Sequence, residues 1–268
     1  MAGAPQRLTG NPIDAPANRF SQGAQTLADN LARRLTPGSL TLSDPVHSIQ
    51  VDGTTVTVNT KRGTLTAQHV VLAAPPALVV DTIAFTPELA TDIHRAALLT
   101  PVWMGDIIKA VAVYDEPFWR SHHLAGAAIS YQGPFQEFHD HSAADGGPGA
   151  IFGFARATTF PGASESAISD AFVRQLVRIF GRDAQHPRAV QVINWANERY
   201  TTPTAAGASS RRGGFGDPLL REPAGQGRIH WASTETDIAH GGHLEGAIRS
   251  GLRVARHIDG LRRLGAPS

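Results

Sequence analysis

The sequence predicts an α/β fold in two discontinuous parts, and three features predict it. Short β segments with glycine at their turns come early. An apolar run, Val70-Val71-Leu72-Ala73-Ala74, follows them, and a strand joined to a helix through paired glycines lies near the end. A run that is apolar at every residue suits a strand covered on both faces, which usually means the middle of a parallel sheet.

Taken in order, residues 1–20 are rich in Pro, Asn and Gly and read as a loop entering a helix. The helix is expected over Ala24–Leu35, where Leu27, Leu31 and Leu35 share one face, and Pro37-Gly38 stops it. Three β segments are expected at Val46–Val51, Thr55–Thr60 and Thr64–Ala74, with Asp52-Gly53 and Arg62-Gly63 at the turns and Pro75-Pro76 as terminator. Thr86-Pro87-Glu88 reads as a helix start, a hydroxyl cap followed by proline, leading to about Leu99. Met104–Tyr114 is strand-like through Ile107, Ile108, Val111 and Val113.

Irregular segments rich in Gly and His follow, then a strand at Ala150–Ala155. An amphipathic helix is expected over Glu165–Phe180, with Ile168, Phe172, Leu176 and Ile179 inward and Gly181 as its stop. Residues 190–195 read as a strand and 201–227 as a long Gly/Pro/Ser loop, a length that is usually functional. Arg228–Ala232 reads as a strand and Gly242 to about Ile258 as a helix. There is no internal repeat.

Composition narrows the function classes. The 268 residues are 41% hydrophobic with a formal net charge of +1, so nothing draws the chain toward nucleic acid or an anionic membrane. Cysteine is absent, which excludes disulfides, thiolate metal sites and any cysteinyl link to a cofactor. No apolar run approaches the roughly 18 residues of a spanning helix, and the N-terminus lacks a signal-peptide pattern; the expected compartment is the cytoplasm. His122-His123, His139-Asp140-His141 and His240-Gly-Gly-His243 show no spacing that fixes a third ligand, so no metal is expected. No Gly-x-Ser-x-Gly elbow of a serine hydrolase is present.

The most informative stretch is Ile229-His-Trp-Ala-Ser233-Thr234-Glu235-Thr236, then Gly241-Gly242-His243-Leu244-Glu245-Gly246-Ala247. It couples a strand, a turn of hydroxyls with one carboxylate, a double glycine and a helix. Small residues let a backbone approach a ligand closely, and the helix N-terminus favours negative charge, such as a reduced flavin carries at its pyrimidine edge. On local physics alone, the same pattern serves equally as a connection that only packs tightly.

Trp231-Ala-Ser-Thr-Glu-Thr followed by Gly242-His-Leu-Glu-Gly-Ala resembles the C-terminal flavin-binding signature of the monoamine oxidase family. Val70-Val-Leu-Ala-Ala-Pro-Pro76, Gly105-Asp-Ile-Ile-Lys109 with Glu116-Pro-Phe-Trp119, and Asn194-Trp195 are similar to further segments of that family in the same order. The resemblance implies an incomplete two-domain flavin amine oxidase fold. Residues 1–98 and 194–268 would be parts of the FAD-binding domain, and 99–193 part of a substrate domain of sheet and helices. It also implies roles: Lys109 holding a water near the flavin N5, Trp195 beside the flavin, and Val46 meeting the adenine end. Ser233, Thr234 and Glu235 would approach the ribityl and pyrophosphate portion, with Gly242 in the same signature and Leu244 offering its N–H to the pyrimidine ring.

Departures from the pattern limit what carries over. The missing cysteine implies that any FAD is non-covalent. Of the two tyrosines that frame the amine in animal members, the second position is His243 and the first falls near Ala205. The small-molecule amine substrate is therefore not inherited from them. The family's opening strand–Gly-x-Gly-x-x-Gly–helix is absent; Gly214-Phe-Gly216 and Gly147-Pro-Gly149 are near misses. Two readings follow: an amine oxidase that passes hydride to FAD with O2 as reoxidant, or a non-catalytic fragment, or half of a split oxidase, that needs a separate N-terminal partner. With its neighbouring strands missing, Val70–Ala74 would leave an unpaired edge, so low solubility or self-association is expected.

Overall fold

The computed structural model describes residue 20 and residues 22–143, 147–203 and 213–264. The position near Ala205 and nearly all of the opening loop lie outside the described residues. Residues 1–45 and 46–268 are two separate compact units.

In the first unit, α1 (Gln25–Ala32) is shorter than its leucine spacing suggests. Arg33 still donates to Asp29 four residues back, but Arg34 and Leu35 donate only three back, to Leu31 and Ala32, so the last turn tightens and ends. No residue of α1 is buried; the leucine stripe encloses no core.

The second unit begins with the expected hairpins. β1 (Val46–Asp52), β2 (Thr55–Thr60) and β3 (Thr64–Ala67) are antiparallel neighbours, and Gly53 has the positive φ of 54° that its turn requires. The expected third strand is in fact two. After a bend at Gln68, β4 (Val70–Leu72) leaves this sheet and runs in another direction of pairing. Pro75-Pro76 does end β4, and Pro76 also opens α2 (Pro76–Thr82), where a missing N–H costs nothing. β5 (Ala84–Thr86) then lies parallel to β1. Here the helix start read at Thr86 is corrected: Thr86 is paired with Gln50 and extended, and α3 (Thr91–Leu99) begins after Ala90.

A five-stranded antiparallel sheet follows a 3-10 turn at Trp103–Asp106. It comprises β6 (Ile107–Tyr114), β7 (Ala128–Ile129), β8 (Phe135–Asp140), β9 (Gly149–Arg156) and β10 (Ala189–Asn194), in the order β10-β6-β9-β8-β7. Strands β7 and β8 lie in the segment read as irregular; a register shift between Phe135 and Glu137 interrupts the alternation that marks a strand. α4 (Glu165–Phe180) covers one face, capped by Ser164 and ended by Gly181 at φ 90°. Ile108, Ala110, Ala112 and Ile151 on the sheet meet Ile168, Phe172 and Leu176 on the helix. Phe172 stacks on Phe138 with ring centres 5.8 Å apart, and Gly153 makes room, since a Cβ there would lie 2.9 Å from the Phe172 ring. Burying one such aromatic side chain contributes about 3 kcal/mol. Buried Gln175 is fully engaged: it accepts from the Phe135 N–H and donates to the carbonyls of Phe135 and Gln132.

The chain then returns to β4. β11 (Ile229–Trp231) pairs with it in parallel, placing His230 opposite Val71, and α5 (Leu244–Leu264) closes the unit. A second core gathers Ile49, Val51, Val56, Leu72, Val79 and Trp231. The parallel character expected of Val70–Ala74 holds, but among the described residues β4 has one strand neighbour, and Val71 is 45% exposed. Among the described residues no helix is long and apolar enough to cross a membrane.

Candidate functional site

The turn after β11 is built around buried polar atoms. Ser233 is 2% exposed and Glu235 8%, and among the described residues neither Ser233 Oγ nor Glu235 Oε2 has a partner in good hydrogen-bond geometry. Burial pushes the Glu235 carboxyl above its ordinary value, while its own backbone N–H and the nearby Ser233 side chain favour the charged form. Buried polar atoms are almost always partnered, which makes this turn a candidate ligand contact.

Neighbouring groups hold the turn rigid. Thr234 Oγ1 donates to His243 O at 2.7 Å, and Thr236 Oγ1 lies 3.0 Å from Ser250 Oγ on α5. Asp237 fixes the loop into the helix: it accepts from the N–H groups of Ala239 and His240, and Arg249 donates to its other oxygen at 3.2 Å. Those bonds outweigh the burial of Asp237 and hold its carboxyl low. The backbone N–H groups of the first turn of α5 have no carbonyl partner within the helix, leaving the end favourable for negative charge.

The glycines serve a different purpose from close approach to a ligand. A Cβ on Gly241 would strike the Phe215 side chain, and one on Gly246 would strike the His240 carbonyl oxygen. Their smallness lets the chain pack on itself. Gly242, at φ 79°, is needed for its backbone conformation.

Lys109 belongs to the antiparallel sheet, and Trp195 to the 3-10 turn just after its strand β10. Lys109 lies on the face opposite α4, across from Phe154 on β9 and Ile193 on β10. Its Nζ sits 4.6 Å from the Phe152 ring centre and 5.8 Å from that of Phe154, and burial lowers its pKa. His139 stacks on the other side of this aromatic row, 5.0 Å from Phe152. Trp195 follows β10; its carbonyl accepts from Thr202 Oγ1, and among the described residues its buried indole N–H has no partner.

The structure therefore brings Ser233, Thr234, Glu235, Gly242, His243 and Leu244 together at one turn, with His243 and Leu244 exposed. Lys109 lies on β6, opposite Ile193, and Trp195 in the 3-10 turn that follows the neighbouring strand β10. Val46 stands at the start of β1, packed on the second core. Reading the sequence missed Asp237 and Arg253. The first carries a legible signal, an Asp whose side chain caps N–H groups two and three residues on. The second, which donates to the carbonyls of Arg221 and Trp231, carries none. Among the described residues no group of three His, Cys, Asp or Glu could hold a metal ion.

Comparison with known proteins decides the family. The profile of flavin containing amine oxidoreductases matches residues 4–259. The chain belongs to that family. Among flavin-containing amine oxidoreductases, it is 34% identical over 253 residues to the Dictyostelium discoideum protein named flavin-containing monoamine oxidase A, covering 91% of this chain and 54% of that protein. It is 31% identical to the flavin-containing amine oxidase of Danio rerio, covering 96% and 50%. Cyclohexylamine oxidase from Brevibacterium oxydans superposes with a TM-score of 0.75 at 25% identity, covering 88% of this chain and 52% of that one. Putrescine oxidase bound to putrescine gives 0.75 at 24% identity, which establishes the shared fold. The chain spans about half the length of the curated relatives it matches.

Proposed function

We propose that this chain forms the ribityl-facing turn and the substrate-facing sheet of an FAD-dependent amine oxidase. The observation that carries this reading is the pair of buried polar atoms, Ser233 Oγ and Glu235 Oε2, which make no well-formed hydrogen bond among the described residues and lie in the turn tied to the start of α5. They fit a flavin cofactor: a hydroxylated ribityl chain supplies the donors and acceptors that these atoms lack. Thr234 keeps the turn in place; the Leu244 N–H at the helix start would hold the pyrimidine edge of the flavin, and Val46 its adenine end. With no cysteine in the chain, the FAD is held non-covalently.

When bound, the flavin supplies the hydride acceptor for amine oxidation, with O2 as its reoxidant. The chain's own residues position and exclude. Lys109, its ammonium disfavoured by burial and pressed against Phe152 and Phe154, holds a water at the reacting centre. Trp195 and His243 wall the amine pocket. Segments 1–98 and 194–268 serve the cofactor and 99–193 the substrate, a division supported by two cores, one drawn from residues 108–184 and one from 49–97 with 220–231.

A second reading has its own support. The outer edge of β4 has no strand neighbour among the described residues, and α5 presents Leu244, Ile248 and Leu252, each 45–53% exposed, in one stripe. Both surfaces suit a dinucleotide-binding unit supplied by another stretch of polypeptide, in this chain or a separate one.

The test is peroxide release from a panel of primary amines in the presence of FAD. It is run with the chain alone and with the Gly-x-Gly-x-x-Gly unit of a relative added in trans. Amine-dependent peroxide from the chain alone supports the first reading; peroxide only with the added unit supports the second. None in either case, with FAD bound, overturns the assigned chemistry.

A further inference from the structure

Beyond the flavin turn, a second built site lies on the other side of β11. A cavity of about 240 Å3 is lined by Arg221, Glu222, His230, Trp231, Arg253 and His257. It adjoins His69, whose Nδ1 lies 3.0 Å from His230 Nε2, at the strand-entering end of β4. Ligands of α/β sheets occupy the crevice at the carboxyl ends of strands, where Ser233 lies; His230 is three residues earlier, about 10 Å along the chain.

The chemistry of the lining is cationic. His230 is 2% exposed, with its ring 5.5 Å from that of His257. Burial, then His69, His257, Arg253 and Arg228, pushes its pKa down to about 4, so each charged neighbour acting on it is positive. Arg253 donates three hydrogen bonds, all to neutral oxygens: the carbonyls of Arg221 and Trp231 and the hydroxyl of Thr236. Its five N–H donors are not exhausted by these. Against this stand Glu222, exposed at the rim, and Asp237, whose oxygens are occupied by Ala239, His240 and Arg249.

We propose that this cavity binds one phosphate-type oxyanion, held by Arg221, Arg253 and His257. A tetrahedral oxyanion accepts from several converging donors at once, and charge-assisted bonds of this kind are the strong ones. The volume takes an oxyanion with a few waters, and it falls below the roughly 300 Å3 at which pockets for drug-sized ligands begin. Because Arg253 also holds Thr236, an occupied site stiffens the same turn that carries Ser233 and Glu235.

The test is calorimetric titration of the full chain with inorganic phosphate at constant ionic strength, with His257→Gln and Arg221→Gln as variants and far-UV circular dichroism as the check on folding. One saturable site per chain, weakened about tenfold by either substitution, is expected. A phosphate monoester that competes identifies a phosphorylated small molecule as the natural source; one that fails identifies free phosphate. Binding that does not saturate, that survives both substitutions in folded variants, or that FAD displaces competitively overturns the proposal. The last outcome would place the phosphate in the cofactor crevice and leave the flavin reading intact.

Discussion

Thr234 Oγ1 donates to the carbonyl oxygen of His243 at 2.7 Å, and this bond joins the turn after β11 to the start of α5 across nine residues. It fixes the geometry in which Ser233, Glu235 and the helix N-terminus converge. Thr234→Val keeps the shape and removes the donor. It should lower stability by about 1 kcal/mol, read as a shift in urea midpoint at unchanged slope. FAD affinity should fall with it.

Two glycines of α5 make opposite predictions. Alanine is the better helix former by about 1 kcal/mol. At Gly251 nothing lies within 4 Å of an added Cβ, so Gly251→Ala should raise the melting temperature. At Gly246 the Cβ meets the His240 carbonyl, and overpacking of that kind costs about 1–3 kcal/mol, so Gly246→Ala should lower it. Equal effects at both sites would contradict the packing described.

These local details mark where sequence reading stops. Glu165–Phe180 was legible to its last residue because its apolar period and its glycine stop agree. The hairpin of β1 and β2 was legible from Asp52-Gly53. Strand β8 was not, because its register shift spoils the period of two. Thr86 has the chemistry of a helix cap, but pairing with Gln50 overrides it. At the candidate site, the cluster around Ser233–Glu235 was legible as a motif. The self-packing of Gly241 and Gly246, and the hold of Arg253 on Trp231, depend on chain neighbours distant in sequence that no local pattern announces.

Glu235 gives the site a pH signature. Its carboxyl is held above the ordinary value of 4.5, chiefly by burial. Below that value both folded and unfolded states are protonated and nothing is lost; as pH rises from there toward the raised folded value, the unfolded state ionises first and stability falls. Glu235→Gln should flatten this decline and be the more stable protein at neutral pH, measured by thermal melts from pH 4 upward. A variant whose pH profile overlays the parent's would rule out the burial argument.

Self-association is the expected behaviour of the chain alone. The outer edge of β4 and the Leu244, Ile248 and Leu252 stripe together expose apolar surface and strand edge. Sedimentation velocity should show mass rising with concentration, and Val71→Lys, which charges that edge, should reduce it. A concentration-independent monomer would count against the open edge.

The most direct test of the central claim is flavin retention. The purified chain is mixed with FAD, free cofactor is removed by gel filtration, and the visible flavin absorbance of the protein fraction is recorded beside that of a folded Ser233→Ala, Glu235→Gln double variant. The expected result is a flavin band that travels with the chain and is lost or strongly reduced in the variant. A band of equal strength in both proteins would contradict the assignment of Ser233 and Glu235 to the cofactor, and a colourless chain would contradict a cofactor site completed by this polypeptide.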